Sequence, residues 1–302
     1  LQLGGAFTNE GIFDWQSGTV VELSDGEYVI GAAATNSALA NYSWKQPDLS
    51  LLSQALLSGA TVQLRNRATT AGNLLQRTRC SYFYDTAMAC NKRTPGAGCA
   101  AMIGHNRNHA ILGTSEHCIA THPSDMAVAM VALDARVHVI DTEGNKRVVP
   151  ARDLHCQPDD TPHIEHQLKN NELITHVSLQ QMSRGTQWYR KVRDRSSYAF
   201  ALVSVAAALE LSDGKVKKLW MAFGGVGTKP WHASKTIALL EGEPLTEQAI
   251  ISALEEELSD AKLRNGNAFK KAMLIRTATD VLKKLGAQQS ANPGHQGALY
   301  AR

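Results

Sequence analysis

Four of the five cysteines of this 302-residue chain, Cys80, Cys90, Cys99 and Cys118, fall within 39 residues in the spacing C-x9-C-x8-C-x18-C. Clustered thiolates are the ligand set of an iron–sulfur cluster or a structural zinc, so the segment is a metal-site candidate before any fold is proposed. The spacing matches neither the C-x2-C knuckle of zinc ribbons nor the tight run of bacterial ferredoxins. A metal here closes an open loop. A [4Fe–4S] cluster accepts four thiolates from such a loop, because the cluster itself organises the corner positions. Zinc, two disulfides and simple core packing of free thiols remain open beside it on spacing alone. Packing fits poorly with the polar neighbours Arg77, Arg79, Asp85, Asn91, Lys92 and Arg93 and with the turn at Pro95-Gly96-Ala97-Gly98. Disulfides fit poorly with an unpaired fifth cysteine, Cys156, and no visible signal peptide.

The length suggests two domains and ample capacity for a core. The 31 basic residues nearly balance 28 acidic ones, for a net charge of +3, and no Lys/Arg stripe with interleaved aromatics appears. Nucleic acid is therefore not an expected partner. The longest apolar stretch, AFALVSVAAALEL from Ala199 to Leu211, is too short to span a bilayer. No charged start with an apolar h-region is visible, so the expected location is cytoplasmic, or periplasmic if a signal-bearing partner carries the folded chain across. The sequence opens at Leu1 and not at Met, which leaves room for a preceding segment.

Periodicity divides the chain near residue 182, into 1–182, 183–288 and a Gly/Pro/Gln/Ser-rich tail at 289–302 that reads as disordered. Tyr28–Ala34 reads as a buried strand and Ser50–Ser58 as a helix with Leu51, Leu52, Ala55 and Leu56 on one face. A loop is expected from Gln63 to Asn73. Pro123–Leu133 reads as a helix capped at Ser124 or Asp125, and Ala135–Ile140 and Lys146–Val149 as a hairpin around Asp141-Thr142-Glu143-Gly144. Strands are expected at Trp188–Arg193 and Lys217–Gly224. Helices are expected at Glu247–Ala261 and Asn267–Leu285, the last stopping at Gly286.

The loop before the cysteines, QLRNRATTAGNLLQRTRC, sets Thr69, Thr70, Gly72 and Asn73 within five positions. Backbone N–H groups beside a glycine, with threonine hydroxyls, suit close approach of a phosphate or a flavin edge. The plainer reading is a turn.

This string, with IGAAATNSAL (30–39), THPSDMAVAM (121–130), YRKVRDRSSYAFALVSVA (189–206) and the four-cysteine spacing, resembles the FAD-binding subunit of the molybdenum hydroxylases, the xanthine dehydrogenase family. Within it the chain looks most like the flavoprotein subunit of bacterial periplasmic aldehyde oxidoreductases, a branch with an extra [4Fe–4S] cluster. The resemblance covers roughly residues 20–285 and implies an α+β fold: a vanillyl-alcohol-oxidase (PCMH)-type FAD-binding domain, N-terminally truncated, then a CO-dehydrogenase-flavoprotein-like C-terminal domain with a three-stranded sheet. It implies that Thr69, Gly72 and Asn73 form an FAD loop, in which Ala71 stands where other members have glycine. Ser124 and Asp125 match a pair near the flavin ring, or form a plain helix cap. Lys191 matches a position at the FAD edge, or is a solvated lysine among Arg190, Arg193 and Arg195. Cys80, Cys90, Cys99 and Cys118 would ligate the cluster, and the flavin would lie near Cys80.

The family's N-terminal Gly-Gly-Thr-Asp/Asn loop has only the counterpart Gly4-Gly5-Ala6-Phe7-Thr8-Asn9, so loss of the first FAD loop and weaker FAD affinity are expected. His105, His109, His117 and His122 read as loop or surface groups, and His155, His163 and His166 as part of a polar linker with a weak second metal pattern. The resemblance implies an FAD- and [4Fe–4S]-containing electron-transfer subunit, inactive alone. Its partners are a molybdenum-cofactor catalytic subunit and a [2Fe–2S] subunit in a heterotrimer that oxidises aldehydes to carboxylic acids, or purines in the xanthine branch. A zinc-stabilised, non-catalytic interaction module is the alternative.

Overall fold

A computed structural model of the protein describes residues 21–291. The Gly4–Asn9 stretch and the chain after Ala291 lie outside the described residues.

Two antiparallel sheets organise the chain. The first contains β1 (Val21–Ser24) and β2 (Glu27–Gly31), which meet at a tight turn where Asp25 and Gly26 adopt positive φ. Four helices follow: α1 (Asn36–Trp44), α2 (Ser50–Ser58), α3 (Val62–Arg65) and α4 (Thr70–Leu74). The cysteine segment holds one helical turn, α5 (Ser81–Tyr84). Then come α6 (Asp125–Ala132), the hairpin β3 (Arg136–Asp141) and β4 (Lys146–Pro150), α7 (Ala151–Leu154) and β5 (Glu172–Gln180). The strand order is β1-β2-β5-β3-β4.

The second sheet contains β6 (Thr186–Val192), β7 (Val203–Ser212), β8 (Lys215–Gly224) and the two-residue β9 (Trp231–His232), in that order. It therefore carries one strand more than the three expected. Helices α8 (Ser234–Leu240), α9 (Glu247–Glu257) and α10 (Phe269–Ala291) complete the described residues.

The unbroken apolar run in β7 has a simple cause. Its alternate residues face two different cores: Ala206 joins Tyr189 and Ala222 against α2 and α6, while Val205, Ala207 and Leu209 pack with Phe223 and the helices α9 and α10. A strand buried on both faces has no polar side to alternate with. The same packing welds the two halves. Gln187 of β6 accepts from Leu51 N–H at 3.0 Å and donates to Pro47 O at 3.1 Å, while Gln54 accepts from Tyr189 N–H at 2.9 Å. The first of these satisfies the Leu51 N–H at the start of α2, which the helix cannot satisfy itself.

Three further sequence expectations fail here. Gln63–Asn73 is not a plain loop, because Thr61 and Thr69 cap the short helices α3 and α4. Gly286 does not stop the last helix either, and residues 289–291 of the expected tail are helical. A Cβ on Gly286 would come within 2.7 Å of Leu245 Cδ2, so the glycine permits close packing. Gln289 beyond it accepts from Leu211 N–H at 2.7 Å, and docking on β7 carries the helix through. Among the described residues no helix is long and apolar enough to cross a membrane.

Candidate functional site

The sequence strings singled out above converge in space. Thr69 caps α4 by accepting from Gly72 N–H at 3.2 Å. The turn is pinned to the end of β2, with Thr70 N–H donating to Ala34 O at 2.9 Å and Ala71 N–H to Ala32 O at 3.0 Å. Backbone pinning of this kind fixes the turn wherever a ligand is to approach it. Asn73 reaches α6: Ser124 Oγ donates to Asn73 Oδ1 at 2.6 Å while accepting from Ala127 N–H at 2.9 Å. Ser124 is thus both the helix cap and a tie between the two strings.

Asp125 looks the other way. Its carboxylate accepts from Tyr189 Oη at 2.6 Å and from Lys191 Nζ at 2.7 Å. The Lys191 side chain is only 4% exposed and also donates to Ser58 O at 3.3 Å. The reading of Lys191 as solvated is therefore corrected: β6 pairs with β7 through this residue and carries it under α6, where Asp125 neutralises it. Burial, then the neighbouring Asp125 charge, holds the Tyr189 phenol well above its usual range, so it acts as a neutral donor. Tyr189 was not singled out from the sequence, although it sits two residues before Lys191 on the same strand face.

The four clustered cysteines line one cavity, together with Thr78, Tyr82, Phe83, Asn91, Lys92 and Ala120. All five cysteines of the chain are free thiols. The loop that gathers them is stapled by its own polar side chains. Arg93 donates to Tyr82 O at 3.0 Å and to Phe83 O at 2.7 Å. Asn91 donates to His117 O at 3.0 Å and accepts from Gly98 N–H at 2.7 Å. Gly96 and Gly98 take the positive φ that brings Cys99 back opposite Cys90. Burial raises the thiols of Cys80 and Cys99, and pushes Cys118 up to about 11. Buried thiols become thiolates when a cation is present to hold them. Among the described residues no three or more His, Cys, Asp or Glu side chains gather tightly enough to hold a single metal ion.

The reading of the histidines as loop or surface groups fits His105 and His117, which are exposed, and all four lie on loops, but His109 is buried and His122 half-buried. His109 is buried with its Nε2 3.1 Å from Cys80 Sγ, and burial followed by the Lys270 charge pulls its pKa down to about 4. The apolar run Ala110-Ile111-Leu112 beside it was the available signal, because Ile111 N–H joins Val226 O at 2.8 Å and draws the loop inward. His122 is driven far down by burial, then by His155, whose ring centroid lies 4.2 Å away. The supposed linker is not a linker: His155 is buried, donates to Leu74 O at 2.7 Å, and is held down to about 4 by burial.

His122, His155 and His166 line a second cavity of about 160 Å³ with Leu74, Leu75 and Cys156. His122 Nε2, His155 Nδ1 and His166 Nδ1 have no hydrogen-bond partner there. The cavity begins where α4 ends. Thr78, Lys92 and Ala120 belong to its lining and to that of the cysteine cavity, so the two spaces share a wall.

Comparison with known proteins agrees with this architecture. Residues 18–180 match the family described as the FAD binding domain in molybdopterin dehydrogenase, and residues 173–285 match the CO dehydrogenase flavoprotein C-terminal domain. The chain is 49% identical over 269 residues to the aldehyde oxidoreductase FAD-binding subunit PaoB of Escherichia coli (strain K12), covering 89% of this chain and 81% of that one. It is 25% identical over 159 residues to the glyceraldehyde dehydrogenase medium chain of Sulfolobus acidocaldarius, covering 52% and 54% of the two. In fold it is similar to the Hydrogenophaga pseudoflava carbon monoxide dehydrogenase that lacks the Mo-pyranopterin moiety of its cofactor, with a TM-score of 0.65 at 20% identity, covering 88% of this chain and 77% of that one. Quinoline 2-oxidoreductase from Pseudomonas putida 86 gives 0.61 at 18% identity, over 89% and 78%. With the FAD-domain match running over more than half the chain and the flavoprotein C-terminal match completing it, the protein belongs to the FAD-binding subunits of the molybdopterin dehydrogenase family.

Proposed function

We propose that this chain is the FAD-carrying electron-transfer subunit of a molybdenum-dependent aldehyde oxidoreductase, working with a molybdenum-cofactor subunit and a [2Fe–2S] subunit in a heterotrimer. The observation that carries this reading is the 49% identity to PaoB across 89% of the chain. FAD supplies a centre that takes up electrons and releases them singly or in pairs. The chain's own residues bind and orient it. Thr69, Gly72 and Asn73 fit a flavin nucleotide because their turn is fixed by backbone bonds to the chain just after β2, and because Gly72, where a Cβ would stand 3.0 Å from the Thr69 hydroxyl, keeps that cap and its backbone approachable. Ser124 holds Asn73 in place, and Asp125 with Lys191 keeps the base of α6 fixed. A flavin ring would be taken up by the cavity beginning at Leu74 and Leu75, where burial keeps His122 and His155 neutral and their unpartnered nitrogens would serve as hydrogen-bonding groups.

The same proposal assigns Cys80, Cys90, Cys99 and Cys118 to one [4Fe–4S] cluster. What supports it is that all four cysteines line one space, on a loop whose turns bring Cys99 opposite Cys90. A single zinc draws its sulfurs to about 2.3 Å from one centre. A cluster puts its own iron and sulfide between the ligands, and so suits the wider arrangement. Cys156 stands in the neighbouring cavity wall and is not assigned.

Quantitation of FAD, iron and sulfide on the purified chain, with its visible spectrum, tests the reading. The expected result is a brown-yellow protein with iron and sulfide in the ratio of the cluster, no aldehyde oxidation alone, and activity on co-expression with both partners. Gly72→Val is expected to lose FAD while keeping iron. A colourless, zinc-containing chain sinks the proposal.

A further inference from the structure

The wall between the two cavities contains one charged side chain. Lys92 faces both spaces, with Thr78 and Ala120 completing the partition. Its side chain is 12% exposed. The ammonium is held by Pro162 O at 2.9 Å and by Glu165 Oε2 at 3.3 Å. Glu165 is divided between Lys92 and Arg77, whose Nε lies 2.5 Å from Oε1 but whose side chain is 53% exposed. Water screens the Arg77 charge, whereas the Lys92 charge acts inside the protein, where the effective dielectric is low. Its field reaches both sides of the wall. The partition is also bonded through: Cys80 N–H donates to Thr78 Oγ1 at 3.3 Å, and Thr78 Oγ1 donates to Thr121 O at 3.0 Å, with Thr121 lining the histidine cavity.

We propose that Lys92 is a positioning charge common to both cavities, which raises the reduction potential of the iron–sulfur group on one side and of the flavin on the other. This rests on the occupancy set out under Proposed function. Adding an electron to either group adds negative charge next to a buried ammonium, and the attraction favours the reduced form. Because one cation serves two sites, the two potentials are tied to the same residue.

The test uses the FAD- and iron-loaded protein and its variants Lys92→Met, Lys92→Arg and Glu165→Gln. Flavin, iron and sulfide are quantified first. The cluster is then titrated by electron paramagnetic resonance and the flavin by visible absorbance. Lys92→Met is expected to lose at least tenfold in the equilibrium constant for one-electron reduction of the cluster, about 59 mV, with the flavin potential falling in the same direction. Lys92→Arg should stay near wild type. Glu165→Gln, which unmasks the lysine, should move both potentials upward, and it decides the matter alone if Lys92→Met fails to load. Potentials that do not move in a loaded variant, or a cluster that moves without the flavin, overturn this inference alone. A wild-type chain lacking iron or FAD overturns the functional reading and this inference with it.

Discussion

Residues 80–118 and the second sheet are ordered by different physics. The sheet β6–β9 is buried on both faces, with Val205, Ala207, Leu209, Met221 and Phe223 fully enclosed. Its stability scales with apolar area removed from water. The cysteine segment has one helical turn, a short 3-10 turn, one bridge within itself between Cys90 and Cys99, and one from Leu112 to Gly227. Its order comes from side-chain staples such as Arg93 and Asn91, and from docking on the far domain. Lys262 N–H reaches Ile111 O at 2.8 Å, Asn267 donates to Ala110 O at 3.1 Å, and Arg107 pairs with Asp194 at 2.7 Å. A region without a core of its own depends on cross-links, and the cluster proposed for it would be the strongest of them.

The contrast can be broken most sharply at a ligand. Cys99→Ser is expected to lose all iron and sulfide and to open residues 80–118 to limited proteolysis, with the sheet's circular dichroism retained. Cys156→Ser should keep full iron. Equal iron loss in both variants removes the distinction between the clustered thiols and the fifth.

The reverse experiment targets the sheet. Phe223→Ala should cost about 3–5 kcal/mol in urea unfolding, because Phe223 is fully enclosed and its neighbours cannot collapse into the space. Iron per folded chain should be unchanged. A large iron loss would mean that the two regions do not fold independently enough for the comparison to stand.

A smaller effect separates them by pH. His155, at the cavity wall, is held down to about 4 by burial against an ordinary value of 6.5. Between those values the unfolded chain binds a proton that the folded chain refuses. Its stabilising contribution is therefore complete above about pH 6.5 and is lost as the pH falls toward 4, amounting to about 2 kcal/mol between pH 7 and pH 5. His155→Gln, able to donate to Leu74 O, should remove that share of the pH dependence. An unaltered pH profile in the variant would assign the acid sensitivity elsewhere.

Local signals were legible where they were self-contained. The Ser50–Ser58 helix, the Ser124 cap and the β3–β4 hairpin are each determined by residues within a few positions of one another. The strings 30–39, 69–73, 121–130 and 189–206 identified the family, and the structure brings Asn73 to Ser124 and Asp125 to Lys191. The four cysteines were legible as a set for the same reason, since their clustering is written in consecutive sequence.

Burial of polar groups was not legible, because it depends on partners far along the chain. Lys191 is enclosed only because Asp125, 66 positions away, meets it. His109 is pulled against Cys80 by the docking of Ile111 on Val226. Gly286 reads as a helix stop from its own conformational freedom, yet Leu245 needs the space a side chain would fill. The sequence by itself determined the family, the helix caps and hairpin, and which thiols belong together. Only the tertiary structure decided which histidines and lysines leave water, and that two cavities share the wall at Lys92. Periodicity and capping are short-range, while desolvation is a property of the whole packed assembly of elements.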